Sequence, residues 1–159
     1  MGKHARSVSD LNLKELVKEL NKLYCDEWLA FYLYWYIAKT ASGRYYMVMR
    51  QLLEDIARQE LEHARELADL ITKLGDVPTA NPMDLEKHAN FSYTLPPKNS
   101  ADINRIIRVV TESEAGAIEA YHKLAKKAQG KDFHTSQVLL HILAEEIDHE
   151  ERFENLSER

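Results

Sequence analysis

Residues 60–63 of the chain read Glu-Leu-Glu-His, and residues 146–149 read Glu-Ile-Asp-His. In each stretch a Glu precedes a His by three positions, so both side chains share one face if the segment is an α-helix. Each stretch also follows a single Glu at nearly the same distance, Glu27 in one case and Glu114 in the other. The chain therefore contains a two-fold repeat in which one Glu is followed by a Glu-x-x-His motif.

Apolar side chains extend this repeat in both directions along the sequence. They recur at alternating steps of three and four residues, which is the spacing of the inward face of a bundle helix. Four such faces predict four helices, at about residues 10–39, 45–74, 101–129 and 133–157. In the first helix the inward positions are Leu13, Leu16, Leu20, Leu23, Glu27, Ala30, Tyr34 and Ile37.

The connections between the predicted helices set their directions. Short turns after the first and third helices require antiparallel neighbours. Residues 75–100 hold all four prolines and join the second helix to the third. Fully extended, this connector reaches roughly 85 Å, whereas a helix of about 30 residues is roughly 45 Å long. The third helix can therefore start beside the second and run parallel to it, and residues 83–89 are expected to add a short helical turn on the way.

We therefore predict an all-α fold, a four-helix bundle in up-down-down-up order with one long crossover and no fifth helix. Residues 1–9 lack apolar periodicity and are expected to form a flexible tail. Residues 10–159 are expected to form a single domain, with the first helix beginning at a cap near Ser9 and Asp10.

The composition argues against several classes of protein. The net charge of −5 disfavours a DNA-binding protein, which needs a basic face. The single cysteine, Cys25, excludes both an internal disulfide framework and a cysteine-based zinc site. No stretch reads as a secretion signal or a membrane span, so we expect a cytoplasmic protein with no membrane partner.

Six residues on the inward faces are neither apolar nor tyrosine, and all six are Glu or His. Each lies near the middle of its helix, and mid-helix positions coincide in height when helices pack antiparallel. Four carboxylates buried together are strongly unfavourable unless cations lie between them, and two divalent ions balance their charge. Oxygen-rich ligation with one imidazole per metal favours iron or manganese over zinc. The candidate metal ligands, which are also the candidate catalytic residues, are Glu27, Glu60, His63, Glu114, Glu146 and His149.

The Glu-x-x-His spacing is a weak signal by itself, because Glu119 and His122 also share it. Neither of these two residues falls on an inward face, so we predict that both lie on the surface. The inward position, the common height and the repeat together support the metal site. The alternative is a metal-free bundle that acts as an interaction protein, in which buried polar residues only fix the helix register.

Several segments resemble those of a known family. Residues 27–34, 60–64 and 142–149 look like the corresponding segments of bacterioferritin, and residues 114–121 resemble the third-helix pattern of related proteins. Over about residues 10–157 the chain is similar to the ferritin-like di-iron carboxylate proteins. In that family two helices each provide one Glu and the other two each provide Glu-x-x-His.

The resemblance implies two iron ions per subunit, with manganese as an alternative. It implies that Glu60 and Glu146 bridge the two ions. Each ion would also have one terminal Glu and one His of its own. By the same resemblance these terminal ligands are Glu27, Glu114, His63 and His149.

Two departures from the bacterioferritin pattern refine the resemblance. Bacterioferritins place a haem-ligating Met after the first bridging Glu, and Leu61 at that position argues against haem. Larger ferritins carry a fifth helix, whereas Dps proteins lack it and form 12-subunit shells. An intrasubunit centre on a chain of Dps length looks most like the Dps-like mini-ferritins. Some of those carry a cysteine pair near the site, which Cys25 alone cannot supply.

The function implied by the resemblance is that of an iron-storing ferroxidase. It would oxidise Fe²⁺ with O₂ or H₂O₂, store the ferric product in a homo-oligomeric shell of 12 subunits, and protect against iron and peroxide stress. The alternative is a di-iron or di-manganese enzyme that stores nothing, such as a rubrerythrin-like peroxidase, a manganese catalase or a hydroxylase.

Two tyrosines lie two turns after the single glutamates, Tyr34 after Glu27 and Tyr121 after Glu114. Each is interpreted either as a hydrogen-bond or electron donor at the centre, or as a core tyrosine with a satisfied hydroxyl. Tyr34 is included among the candidate catalytic residues.

Other residues are predicted to lie outside the centre. Residues 28–37 are apolar or aromatic on all sides, which favours subunit association over packing beneath the crossover. Cys25 is expected to be a small core filler. Four acidic residues and three histidines off the inward faces are expected to be solvated, namely Asp55, Glu62, Glu145, Asp148, His122, His134 and His141.

Overall fold

The computed structural model describes residues 6–156, and the secondary structure within them is entirely helical. A short 3₁₀ turn, Pro82–Asp84, precedes the one short α-helix in the connector. The all-α prediction is confirmed, as is the short helical turn expected in the crossover. The helices are α1 Leu13–Thr40, α2 Tyr46–Lys73, α3 Leu85–His88, α4 Ile103–Ala128 and α5 Phe133–Glu154.

Two contacts between distant parts of the chain fix the helix directions. The amide of Ser42, in the turn between α1 and α2, donates to the carbonyl of Ser100 just before α4, at 3.0 Å. At the opposite end, the amide of Asp10 donates to the carbonyl of Lys131 in the turn before α5, at 2.9 Å. The crossover therefore returns to the start of α2, and α4 runs parallel to α2. The predicted up-down-down-up order is confirmed, and within the described residues no helix follows α5.

The helix ends have identifiable capping groups. The start of α1 differs from the prediction, because the cap is Asn12, whose side-chain oxygen accepts from the amides of Lys14 and Glu15 at 3.1 and 3.3 Å. Asp102 caps α4 by accepting from the Arg105 amide at 3.0 Å. After α2, Gly75 has a φ of 96°, the left-handed conformation expected just past a helix end.

The crossover is held against the outer side of α1. The Asp26 carboxylate accepts from the backbone amide of Asn90 at 2.8 Å and from that of Phe91 at 3.3 Å. Nearer the start of α1, the Asn21 side chain donates to the Thr79 hydroxyl at 2.8 Å, and its oxygen accepts from the Thr79 amide at the same distance. These bonds give backbone polar groups of an irregular segment their partners.

Two apolar clusters form the core, one on each side of a polar layer. The first contains Leu20, Leu67 and Leu139 near the start of α1 and the end of α2. The second contains Leu53 and Phe153 near the opposite end. Full burial of each of these side chains stabilises the fold by roughly 1.5–3 kcal/mol. The polar layer between them is thus surrounded by well-packed apolar residues.

Two features concern the periphery of the chain. Residues 1–5 and 157–159 lie outside the described part, so the predicted tail at residues 1–9 falls partly outside it. Within the described part, residues 6 and 7 have helical conformation. None of the described helices combines the length and the apolar character needed to cross a bilayer.

Candidate metal centre

The polar layer contains the six predicted residues, and each of the four long helices contributes to it. α1 and α4 each place one Glu in the layer, and α2 and α5 each place a Glu and a His one helical turn apart. These side chains are almost completely shielded from solvent. Their exposed fractions are 2% for Glu27, 1% for Glu60, 0% for His63, 1% for Glu114, 1% for Glu146 and 0% for His149.

The six side chains form two overlapping groups that could each hold a metal ion. One group contains Glu27 and His63, the other contains Glu114 and His149, and both include Glu60 and Glu146. Within each group the potential ligand atoms lie within 4.8 Å of one another. Two carboxylates common to both groups are what a pair of adjacent, bridged cations requires.

Both imidazoles direct Nδ1 toward the carboxylates. His63 Nδ1 is 2.9 Å from Glu146 Oε1 and 3.5 Å from Glu60 Oε2. His149 Nδ1 is 3.3 Å from Glu60 Oε1 and 3.8 Å from Glu146 Oε2. The two rings are stacked, with centroids 5.8 Å apart and an interplanar angle of 27°. Each His therefore faces both shared carboxylates with the same nitrogen.

The electrostatics of the protein without metal is strongly perturbed. Burial raises the pKa of Glu27 and Glu114 well above the usual range, and repulsion from Glu146 and Glu60 adds to this. Burial opposes the charged form of His149, but the nearby carboxylates of Glu146 and Glu60 outweigh it and raise its pKa to about 9. The same competition raises the pKa of His63 and lowers that of Glu60. Protons thus partly compensate the negative charge of the centre.

Several buried polar atoms of the centre have no hydrogen bond. They include both carboxylate oxygens of Glu60, Oε1 of Glu114 and Nδ1 of His149. Leaving a buried polar atom unpaired costs about 1–3 kcal/mol, and more for a charged group. Divalent cations between the carboxylates would satisfy these atoms and displace the extra protons, so the residues present fit a pair of metal ions.

Each tyrosine contacts the Glu of the other half of the repeat. The Tyr121 hydroxyl donates to Glu27 Oε1 in a short hydrogen bond, and the Tyr34 hydroxyl lies within hydrogen-bonding reach of Glu114 and Ser113. Burial raises the pKa of both phenols. Both interpretations of these tyrosines, a donor at the centre and a core tyrosine with a satisfied hydroxyl, agree with this geometry, in which each hydroxyl reaches a Glu of another helix.

Glu145 makes a contact at the centre that the sequence did not predict. It was expected to be solvated, but its Oε2 lies 2.8 Å from Nε2 of His63, and its side chain is only 35% exposed. The signal in the sequence was its position directly before Glu146 on α5. The prediction considered only residues on the inward faces, and it therefore missed a contact made by a residue at the edge of such a face.

The other predictions of exposure or burial outside the centre agree with the structure. Glu119 and His122 are exposed, so the third Glu-x-x-His motif is a surface feature. Cys25 is fully buried. The other residues predicted to be solvated are exposed or partly exposed, namely Asp55, Glu62, Asp148, His134 and His141.

A cavity of about 210 Å³ adjoins the centre beneath the crossover. Its inner wall includes Glu60 and Glu114, and its outer wall includes Phe91 and Tyr93 of the crossover. The exposed residue Glu112 also lines it. The cavity therefore offers small molecules a route from the surface to the buried carboxylates.

Comparison with known proteins gives a consistent family. The ferritin-like domain model matches residues 17–159. A dodecameric thioferritin, the bacterioferritin-related protein from Bacteroides fragilis, has a structure similar to this one, with a TM-score of 0.92 and 31% identity over 97% of this chain and 92% of that chain. The DNA protection during starvation protein of Pyrococcus furiosus is 28% identical over 92% of this chain and 78% of its own length.

A Dps homologue from the archaeon Halobacterium salinarum has the same fold, with a TM-score of 0.84, 22% identity and coverage of 92% of this chain and 81% of that chain. The family model matches most of the chain, and the fold agrees throughout. This chain therefore belongs to the ferritin-like family.

Proposed function

We propose that this protein is a mini-ferritin that binds two Fe²⁺ ions at the six-residue centre, oxidises them and stores the ferric product inside an oligomeric shell. The observation that carries the proposal is the sharing of Glu60 and Glu146 between two four-residue groups. Two divalent ions balance four carboxylates, so substrate binding would convert an electrostatically unfavourable layer into a neutral one.

The chemistry divides between the iron and the protein. Each Fe²⁺ loses one electron, so a pair of ions reduces one H₂O₂ to two hydroxide ions, and two pairs together with four protons reduce one O₂ to two water molecules. The protein holds Glu27 in place through Tyr121 and Glu114 through Tyr34. The apolar clusters on both sides exclude water, and the cavity under the crossover admits the oxidant.

The proposed assembly is a homo-oligomer, with 12 subunits as the finer proposal. The relative from Bacteroides fragilis is a dodecameric thioferritin. In this chain an aromatic patch on α1, formed by Tyr32, Trp35 and Tyr36, is 39–50% exposed despite its apolar character. The crossover covers only part of this helix, so the patch supports subunit association. The predicted cytoplasmic location and the absence of DNA binding stay predictions.

The test compares the Glu-x-x-His of α2 with the surface motif of α4. Glu60→Ala and His63→Ala should abolish fast Fe²⁺ oxidation, measured by the near-ultraviolet absorbance of the ferric product, while circular dichroism shows the helices intact. Glu119→Ala and His122→Ala provide the matched control and should oxidise Fe²⁺ at the original rate. Fast oxidation by Glu60→Ala would contradict the proposed site.

The second candidate is a di-metal enzyme that stores nothing, and the cavity under the crossover favours it because a small organic substrate could reach the centre there. Native mass determination with iron analysis separates the two functions. An assembly of twelve 18.4 kDa chains that retains many irons per subunit supports storage. A monomer or dimer that retains two metals supports the enzyme. No metal uptake at all would leave the metal-free interaction protein.

A further inference from the structure

The two histidines of the centre differ in what their outer nitrogens contact. On one side of the bundle, Nε2 of His63 lies 2.8 Å from Oε2 of Glu145. On the other side, Nε2 of His149 is buried and, within the described residues, has no hydrogen-bond partner. The repeat relates these two histidines, so the difference cannot come from the motif itself.

The position equivalent to Glu145 explains the difference. Glu145 directly precedes Glu146, and the residue that directly precedes Glu60 is Gln59. The Gln59 side-chain oxygen accepts from Nη1 of Arg152 at 3.3 Å and therefore does not reach His149. The Glu145 carboxylate thus contacts the imidazole of His63. At the equivalent position, the Gln59 amide bonds to Arg152 instead of His149.

The wider surroundings differ in the same direction. Near His63, the imidazole of His141 lies 3.7 Å from Glu66 and 3.9 Å from Glu145, so this side carries two carboxylates. The repeat places Arg152 on the other side where Glu66 stands on this one. One metal position is therefore bordered by two carboxylates, and the other by the Arg152 guanidinium, which itself lies 4.0 Å from the Asp148 carboxylate.

We propose that Glu145 is a positioning residue that makes the two metal positions unequal, so that the position formed with His63 binds a divalent cation first and more tightly. A carboxylate that accepts from the outer nitrogen holds the ring in place and keeps the proton there, which leaves Nδ1 free for the metal. His149 has no such partner and binds the second ion more weakly. The inference rests on the proposed metal centre.

The test uses Co²⁺ without oxygen, because its binding is followed by visible absorption and by calorimetry and needs no turnover. The original protein should bind two Co²⁺ ions in separate steps. Glu145→Gln should weaken the first step by about 10–100-fold, the usual effect of losing a hydrogen bond to a ligating His. Glu62→Gln, the same charge change on an exposed residue beside His63, should leave both steps unchanged.

Variants that retain only one of the two metal positions show which position accounts for each binding step. In Glu114→Ala, which retains the His63 position, adding Glu145→Gln should weaken the remaining Co²⁺ by the same factor. In Glu27→Ala, which retains the His149 position, Glu145→Gln should have little effect. Gln59→Glu combined with Arg152→Gln should tighten the second step of the original protein, because a carboxylate then becomes available to His149.

The outcomes separate this inference from the proposed function. If Co²⁺ does not bind at all, the metal centre and this inference both fail. If two Co²⁺ ions bind with affinities that Glu145→Gln leaves unchanged, the centre stands and the role of Glu145 is refuted. An equal loss in Glu62→Gln would also refute it, since the effect would then be one of net charge alone.

Discussion

The first half of the bundle, α1 and α2, and the second half, α4 and α5, present the same polar residues inward but different residues outward. On α1, Tyr24, Trp28 and Phe31 form edge-to-face ring contacts. On α4, the ring of Phe91 from the crossover packs against Gly116. The first half thus presents large aromatic side chains outward, whereas a glycine of the second half lets the crossover approach closely.

The difference shows which parts of the repeat are constrained. Residues that face the centre must meet at one height, so Glu27 and Glu114 occupy equivalent positions. The residues that directly precede them, Asp26 and Ser113, have no such requirement and make different contacts. Asp26 holds the crossover through backbone amides, whereas Ser113 lies within reach of the Tyr34 hydroxyl. The inward faces therefore behave as a symmetric unit, and the outward faces differ with their surroundings.

The largest expected effect tests the symmetry of the core. Leu20→Ala in α1 and Leu139→Ala in α5 each empty a fully buried position of the same apolar cluster. Each should lower the free energy of unfolding by about 2–5 kcal/mol, because the lost contacts are replaced by a cavity. Denaturant titration at one fixed protein concentration measures both. A loss below about 1 kcal/mol in only one variant would show that the two halves do not share this cluster equally.

The next prediction concerns the terminal glutamates, Glu27 and Glu114. Replacing either of them by Gln should stabilise the metal-free protein but reduce the stabilisation that a bound metal gives. In the metal-free protein, Glu114→Gln should raise the free energy of unfolding at neutral pH by about 1–3 kcal/mol, because a poorly satisfied buried carboxyl is removed. Burial raises the pKa of Glu114 above 4.5, its value in the unfolded chain. The stability that the protonated carboxyl group contributes is therefore fully present below pH 4.5 and is lost as the pH rises. The advantage of Glu114→Gln should therefore shrink on acidification.

The same comparison with metal distinguishes the two halves. A ligand at 100 times its dissociation constant stabilises the protein by about 2.7 kcal/mol. Glu27→Gln should lose more of the Co²⁺-induced stabilisation than Glu114→Gln, because Glu27 belongs to the position that includes His63. Thermal unfolding at matched Co²⁺ concentrations measures this. Equal losses would argue that the two positions bind alike.

Much of this architecture could be predicted from the sequence, because it depends on side chains that face inward. The alternating steps of three and four gave the helices, and the connector of residues 75–100 gave the parallel pair. The start of α1 was misplaced because Asp10 and Asn12 are both good caps, and only the structure shows that the Asn12 side chain accepts from the first amides of the helix.

The part that could not be predicted depends on the rotation of one helix relative to the next. Glu145 lies at the edge of its inward face, and whether such a residue reaches a neighbouring helix is decided by packing angles. The tyrosines illustrate the same point. Tyr34 shares a helix face with Glu27, yet the side chain within its reach is Glu114 of another helix. Spacing defines a face, but it does not define the partner across the bundle.

A smaller effect sharpens this crossed arrangement. Tyr121→Phe removes the donor to Glu27, and Tyr34→Phe removes the group near Glu114. Each should destabilise the protein by about 1–3 kcal/mol, the cost of leaving a buried polar partner unsatisfied. In anaerobic Co²⁺ titrations, Tyr121→Phe should weaken the position that contains Glu27, and Tyr34→Phe the other. If Tyr121→Phe instead weakened the position that contains Glu114, and Tyr34→Phe the one that contains Glu27, the crossed contacts would be contradicted.

The smallest effect concerns the outward residues that precede the two terminal glutamates. Asp26→Ala removes the acceptor for the amides of Asn90 and Phe91, and Ser113→Ala at the equivalent position is the comparison variant. Asp26→Ala should lower the free energy of unfolding by only about 0.5–1.5 kcal/mol, because relief from burying the carboxylate, whose pKa burial raises to about 6, offsets part of the lost hydrogen bonding. Hydrogen exchange should accelerate at residues 90 and 91 and stay unchanged in the four long helices.

The location of that effect matters more than its size. Phe91 lines the cavity that leads to the carboxylates, so a crossover released at Asp26 should open this route without altering the inward faces. If exchange instead accelerated throughout α1 and α2, Asp26 would support the bundle itself, and the separation between a symmetric interior and an adaptable exterior would fail at this position. Unchanged exchange at residues 90 and 91 would show that the aromatic packing around Phe91 holds the crossover without help from the carboxylate.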